Sequence, residues 1–182
     1  PFKGYRYNKE KIQKIENVMA PPYDFVSHNQ GAEFYERSPY NAIRLVSSKL
    51  LHESETDPHQ RAADFLADCI KYEILKQDER DAIYLYEQKV IINDEPFSSR
   101  GFISLLEVTD YENGIVVPCE NPSTNSKLDR FDMVKKLQAN GSMISFKYID
   151  NGKTLSEIIS EVAETEPIMD FETNDEIHQR LW

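Results

Sequence analysis

The chain has 182 residues, 40% hydrophobic and 29% charged, with a formal charge of −11. This balance suits a folded globular domain able to bury about 70% of its unfolded surface. The negative field repels phosphate backbones and anionic headgroups, so nucleic acid and membrane surfaces are not expected partners.

In chain order, the first feature is a repeated spelling: Pro22-Tyr23-Asp24 within Ala20-Pro21-Pro22-Tyr23-Asp24, then Pro39-Tyr40-Asn41 after Ser38. Proline fixes φ and pushes its predecessor out of the helical region, while Asp24 and Asn41 can close Asx turns. Tyr23 and Tyr40 read either as core aromatics with their hydroxyls satisfied at the rim or as ligand-facing groups. A cis bond at Ala20-Pro21 or Pro21-Pro22 would make the first turn a rigid shelf.

Ser27 and Gln30 have capping-box spacing and predict a helix from about residue 27 to 36. Residues 41–46 carry a weaker strand signal, interrupted by Arg44. Asp57-Pro58 followed by Gln60 places an acceptor at a helix cap and proline in the first helical turn. Ala62, Phe65, Leu66, Cys69 and Ile70 then share one helical face. Residues 83–92 are rich in Ile, Tyr and Val, Asn93-Asp94 marks a turn, and residues 98–108 read as the return strand, interrupted by Arg100. Each arginine points either to solvent or into a polar pocket where it must be paired. Residues 115–118 are a weak strand candidate, and residues 110–114 a loop tip. Residues 121–126 form a polar loop leading into a helix near Lys127. Ile144, Phe146 and Tyr148 alternate with Ser145 and Lys147, a strand signal. Thr154 and Glu157 have capping-box spacing ahead of the apolar face Leu155, Ile158, Ile159 and Val162. Helices interleaved unevenly with at least one hairpin predict an α+β domain, with a mixed, largely antiparallel sheet and several packed helices.

Cys69 and Cys119 stand far apart with no CxxC spacing, which points to a reducing compartment. The four histidines show no metal-ligand spacing, so no metal site is expected. No apolar run approaches the roughly 20 residues that span a bilayer and no signal peptide opens the chain, so a cytoplasmic protein is expected. The chain begins at Pro1 rather than Met and ends on its only tryptophan, Trp182. The expectation is a single domain that is the N-terminal part of a longer protein.

The densest candidate site is Pro118-Cys119-Glu120 followed by Lys127, Asp129 and Arg130. Helix N-termini attract anions through unpaired N–H groups and the macrodipole. Lys127 and Arg130, three residues apart on one face, would strengthen a phosphate or carboxylate site there. Glu120 would act nearby as base or metal ligand. The plainer alternative is a solvated helix face carrying Asp129 and Arg130, with Glu120 a loop charge. P-loop, GxGxxG, G-x-S-x-G, H-E-x-x-H and EF-hand patterns are all missing.

Several segments occur together in order: 1–8 (PFKGYRYN), 20–24 (APPYD), 38–45 (SPYNAIRL), 83–88 (IYLYEQ), 100–103 (RGFI), 118–130, and Ala139-Asn140. Together they closely resemble the domain-of-unknown-function family 1015. The resemblance covers nearly the whole chain and marks APPYD and SPYN as family motifs. Members are about twice as long and usually carry Pro-His-Glu where this chain has Pro118-Cys119-Glu120. They continue to an Asp-Gly-His-His-Arg segment similar to the active-site motif of the ParB and sulfiredoxin superfamily, which includes nucleotide-dependent enzymes and a free-serine kinase. The resemblance implies a nucleotide-dependent kinase of small molecules such as amino acids, or another phosphate-handling enzyme, using ATP or ADP with magnesium. Glu120 and Asp129 would be its catalytic carboxylates. Lys127, Arg130, Tyr23, Asp24, Tyr40, Asn41 and Arg44 would contact phosphate or ligand. The other reading is a non-catalytic module that binds a small polar ligand or a partner.

Overall fold

The computed structural model describes residues 1–50, 57–118, 123–173 and 176–182. These form two compact units. Unit 1 comprises Pro1–Met19, Ile74–Leu105 and Ile144–Trp182; unit 2 comprises Ala20–Glu73 and Leu106–Met143. Helices together with two antiparallel sheets make the fold α+β, as the sequence predicts.

Unit 1 holds all the strands. β1 (Tyr5–Tyr7) pairs antiparallel with β2 (Leu75–Gln77). Arg6 and Asp78 form an ion pair beside this small sheet, and the Tyr84 hydroxyl donates to the same carboxylate while accepting from the Gly4 amide at 2.9 Å. The larger sheet has the order β4-β3-β6-β5, from β3 (Tyr84–Ile92), β4 (Glu95–Ile103), β5 (Met169–Glu172) and β6 (His178–Leu181). The predicted hairpin forms, with Asn93 and Asp94 both at positive φ (52° and 63°), the backbone a tight two-residue turn demands. So short a turn pairs Ile92 with Glu95 at once, and the return strand therefore starts three residues earlier than predicted and stops at Ile103, opposite Tyr84.

Residues directly opposite one another across this sheet make a row of alternating charge: Arg100 on β4, Glu87 on β3, Arg180 on β6 and Asp170 on β5. Glu87 is fully buried and accepts from Arg100 Nε at 2.5 Å, with Lys89 at 3.4 Å. Arg180 lies 3.3 Å away as an ion pair without hydrogen-bond alignment. Burial alone would raise the Glu87 pKa, but Arg100, Lys89 and Arg180 together bring it below the ordinary value. Arg100 combines its two readings, pairing with Glu87 while its side chain stays exposed.

α5 (Thr154–Ala163) also belongs to unit 1, but not with the predicted cap. Lys153 occupies the cap position in a left-handed conformation, and Asp150 takes over the capping by accepting from the Ser156 amide and hydroxyl at 2.8 Å. Leu155, Ile158 and Val162 stay largely exposed. Residues 143–150 form no strand despite their alternation. The Tyr148 ring meets that of Phe102 on β4, centroids 5.6 Å apart, but no backbone ladder forms.

Unit 2 is helical: α1 (His28–Arg37), α2 (Ile43–Val46), α3 (Pro58–Lys71) and α4 (Thr124–Leu137), with a 3₁₀ turn at Tyr23–Phe25. The Ser27–Gln30 capping box is complete, and Asp57 accepts from the Gln60 amide at 3.0 Å ahead of Pro58. Gly31 is buried mid-helix because a Cβ there would run into the Leu50 side chain. Within residues 41–46 the chain forms a helix, Ile43–Val46, and not a strand. Asn41 Oδ1 accepts from the Ile43 amide at 2.9 Å, and Ile43 and Val46, one helical step apart, pack with Val26. That local Asx turn and i,i+3 burial outweigh the β propensity of Ile and Val. These residues therefore do not join the hairpin sheet. Residues 115–118 are likewise not a strand, while Tyr111–Asn113 and a left-handed Gly114 make the expected loop tip. On α3, Ala62 packs with Met133 and Leu137 of α4, and Leu66 lies against the same cluster.

Candidate functional site

α4 starts earlier than predicted, because Ser123 rather than a residue near Lys127 caps it, accepting from the Ser126 amide at 3.2 Å. Lys127 then closes the first turn and is exposed, whereas Arg130 lies a turn further on and is turned into the protein. The Arg130 guanidinium donates to Asp129 Oδ2 at 2.5 Å and to the Val46 carbonyl at 3.1 Å, and stacks 4.0 Å from the centre of the Tyr23 ring.

Asp129 is the hub of a partly buried network. Its Oδ1 faces Lys49 and lies 3.1 Å from His59 Nε2, while His59 Nδ1 meets the Ser48 hydroxyl at 2.9 Å. Ser48 and His59 are both buried. Burial by itself would raise the Asp129 pKa, but hydrogen bonds and charge from Lys49 and Arg130 outweigh it and bring it down to about 2. With Asp129 ionised, a neutral His59 carries its proton on Nε2 and accepts the Ser48 proton at Nδ1.

The remaining predicted residues fall as follows. Tyr23 lies beneath Arg130 and Asp24 is exposed on the same turn. Tyr40 is partly exposed, with its amide donating to Ser38 Oγ at 3.1 Å. Asn41 is wholly buried, its Oδ1 closing an Asx turn on the Ile43 amide just ahead of α2. Arg44 donates to the Tyr35 carbonyl at 2.7 Å and lies 3.2 Å from the centre of the Tyr35 ring. Glu120 lies outside the described residues, as does Cys119. The two Pro-Tyr-Asx motifs flank one apolar cluster: Ala20 and Val26 on the first side pack with Ile43 and Val46 on the second. No cis peptide bond is found among the described residues, nor any group of three His, Cys, Asp or Glu side chains placed to hold a metal ion. Nor is any helix among them long and apolar enough to cross a membrane.

The sequence reading missed Ser47, Ser48, Lys49, His59 and Arg61. His59 left a trace. It falls on the stripe of Ala62, Leu66 and Cys69, and a histidine on an apolar helical face needs polar partners on the element packed against it. Arg61 donates to the Ser48 carbonyl at 2.5 Å, which ties α3 to the turn after α2.

None of the curated proteins and none of the solved structures matches this chain. The model of DUF1015, a family described as proteins of unknown function, matches residues 1–182, and the chain belongs to that family.

Proposed function

We propose that this chain binds a small polar molecule through unit 2, and that phosphate-bearing ligands, nucleotides included, are the class it takes. One observation carries this reading: three segments far apart in sequence meet there, with Tyr23 under Arg130, Arg130 on the Val46 carbonyl, and Asp129 between Lys49 and His59. Lys49, Arg130 and the Tyr23 ring gather there around a single carboxylate inside a chain of net charge −11, so the site opposes the overall field locally.

Binding is favoured over catalysis by the state of Asp129. A general base works best with a pKa near the working pH, and a carboxylate held at about 2 by two cations is a poor proton acceptor. Asp129 is better suited to positioning Arg130 and His59. The kinase reading, with ATP or ADP and magnesium, then depends on Glu120 as base or metal ligand and on family members' likeness to nucleotide-dependent enzymes.

Isothermal titration tests the proposal, using ATP and ADP with and without magnesium and a panel of amino acids and sugar phosphates. Saturable heat for at least one compound, weakened at least tenfold in Arg130→Gln, is expected. Silence across the whole panel overturns the proposal. Phosphoryl transfer to a cosubstrate, lost in Glu120→Gln, would instead establish the kinase.

A further inference from the structure

A small cavity in unit 2 is lined by Tyr35, Ile43, Arg44, Ser47, Ser48, Leu50 and Arg61. Its volume, about 10 Å³, is room for a single water. Two of its polar groups, Arg44 Nε and Ser47 Oγ, are buried and have no hydrogen-bond partner among the described residues. Buried donors are almost always satisfied, so two of them at one cavity call for an occupant.

Charge says what kind. The Arg44 guanidinium rests on the Tyr35 ring and carbonyl, and no carboxylate lies against it among the described residues. Arg61 brings a second guanidinium to the same cavity. Burial first, and to a smaller degree the Arg61 charge, hold the Arg44 pKa below its usual value against the opposing effect of Tyr35. A water would satisfy both donors but would bring no negative charge to the guanidinium, against which no carboxylate lies among the described residues. An anionic oxygen does both, and hydrogen bonds between charged partners are roughly twice as strong as neutral ones.

We propose that this cavity takes one terminal oxygen of an oxyanion, a phosphate or carboxylate, with Arg44 Nε and Ser47 Oγ as donors and Arg61 as the neighbouring charge. The cavity is too small for a whole phosphate, so one oxygen enters and the rest of the ligand stays outside. This deepens the small-molecule reading and rests on it, because it assigns the anionic end of that ligand to Arg44 rather than to Lys127 and Arg130.

The arginine Nε–Hε signals in a ¹⁵N correlation spectrum read the site directly. The whole chain is titrated with inorganic phosphate, and separately with acetate, against sodium chloride at matched ionic strength. The Arg44 signal, identified by its loss in Arg44→Lys, is expected to shift saturably with phosphate, acetate or both, but not with chloride. Their relative affinities tell the tetrahedral from the planar oxyanion. Ser47→Ala, which removes one neutral donor and little volume, is expected to weaken binding about 3- to 10-fold. A response no different from chloride, or one unchanged in Ser47→Ala, overturns the proposal. If the ligand panel gives saturable heat that Ser47→Ala leaves intact, this assignment fails while the small-molecule reading stands. Silence in both experiments removes both.

Discussion

The two units handle buried charge in opposite ways. In unit 1 the charges alternate along a row that the strands themselves impose: Arg100, Glu87, Arg180 and Asp170 sit directly opposite one another on four neighbouring strands. Opposite charges face to face across strands stabilise the pairing, and a one-residue slip would send each to the other face of the sheet. In unit 2 the charges gather at a point. Lys49, His59 and Arg130 all meet Asp129, while Arg44 faces a cavity without a carboxylate among the described residues. A row whose charges pair with one another serves the fold. A surplus of cation on one side is the arrangement that leaves something for a ligand to do.

Glu87→Gln tests the row and is expected to have the largest effect. It leaves Arg100 and Arg180 facing a neutral group at a fully buried position. Removing one partner of a buried pair costs about 3–5 kcal/mol, and the partial exposure of the arginines reduces this to about 2–4 kcal/mol. Hydrogen exchange at the β3 and β6 amides measures it. A change below about 0.5 kcal/mol would mean that strand pairing holds without the charges, and the contrast between the units would collapse.

Next comes Asp129. Its folded pKa of about 2 lies below the ordinary 3.8, so the folded state favours the ionised form. The stabilisation is therefore present above pH 4 and lost as pH falls through about 2. The gap corresponds to about 2 kcal/mol at neutral pH. Urea midpoints at pH 6 and pH 2.5 should show this loss in the native chain, and Asp129→Asn should be less stable at pH 6 while losing less on acidification. An unchanged acid slope would show that Asp129 is not the hub.

Ser123→Ala touches neither network and should cost least, about 1 kcal/mol, by removing the cap of α4. Exchange at the first α4 amides reports it. If this change instead weakened phosphate binding more than Ser47→Ala does, the anion site would belong at the α4 N-terminus, where the sequence reading had placed it.

Features closed within a few residues were legible from the start. Ser27 with Gln30 and Asp57 with Gln60 start their helices because donor and acceptor lie three residues apart, and Asn93-Asp94 turns the hairpin because both residues tolerate positive φ. The Asx turn at Asn41 was also visible, although its consequence, a helix at Ile43–Val46, was not. Isoleucine and valine suit either state, and the packing of Ile43 and Val46 with Val26 decided between them. The opposite failure befell Ile144, Phe146 and Tyr148, whose alternation suits a strand that no neighbouring edge completes.

What only the tertiary structure decided has a common physical cause. His59 and Asp129 are 70 residues apart, and Glu87 meets Arg180 across more than 90. Closing such distances costs chain entropy that no local pattern records, and it is offset only when a whole core forms at once. Arg100 and Arg44 therefore looked alike in the sequence, each a charge within an apolar run. The sheet gave one a buried carboxylate, and the helices gave the other a cavity.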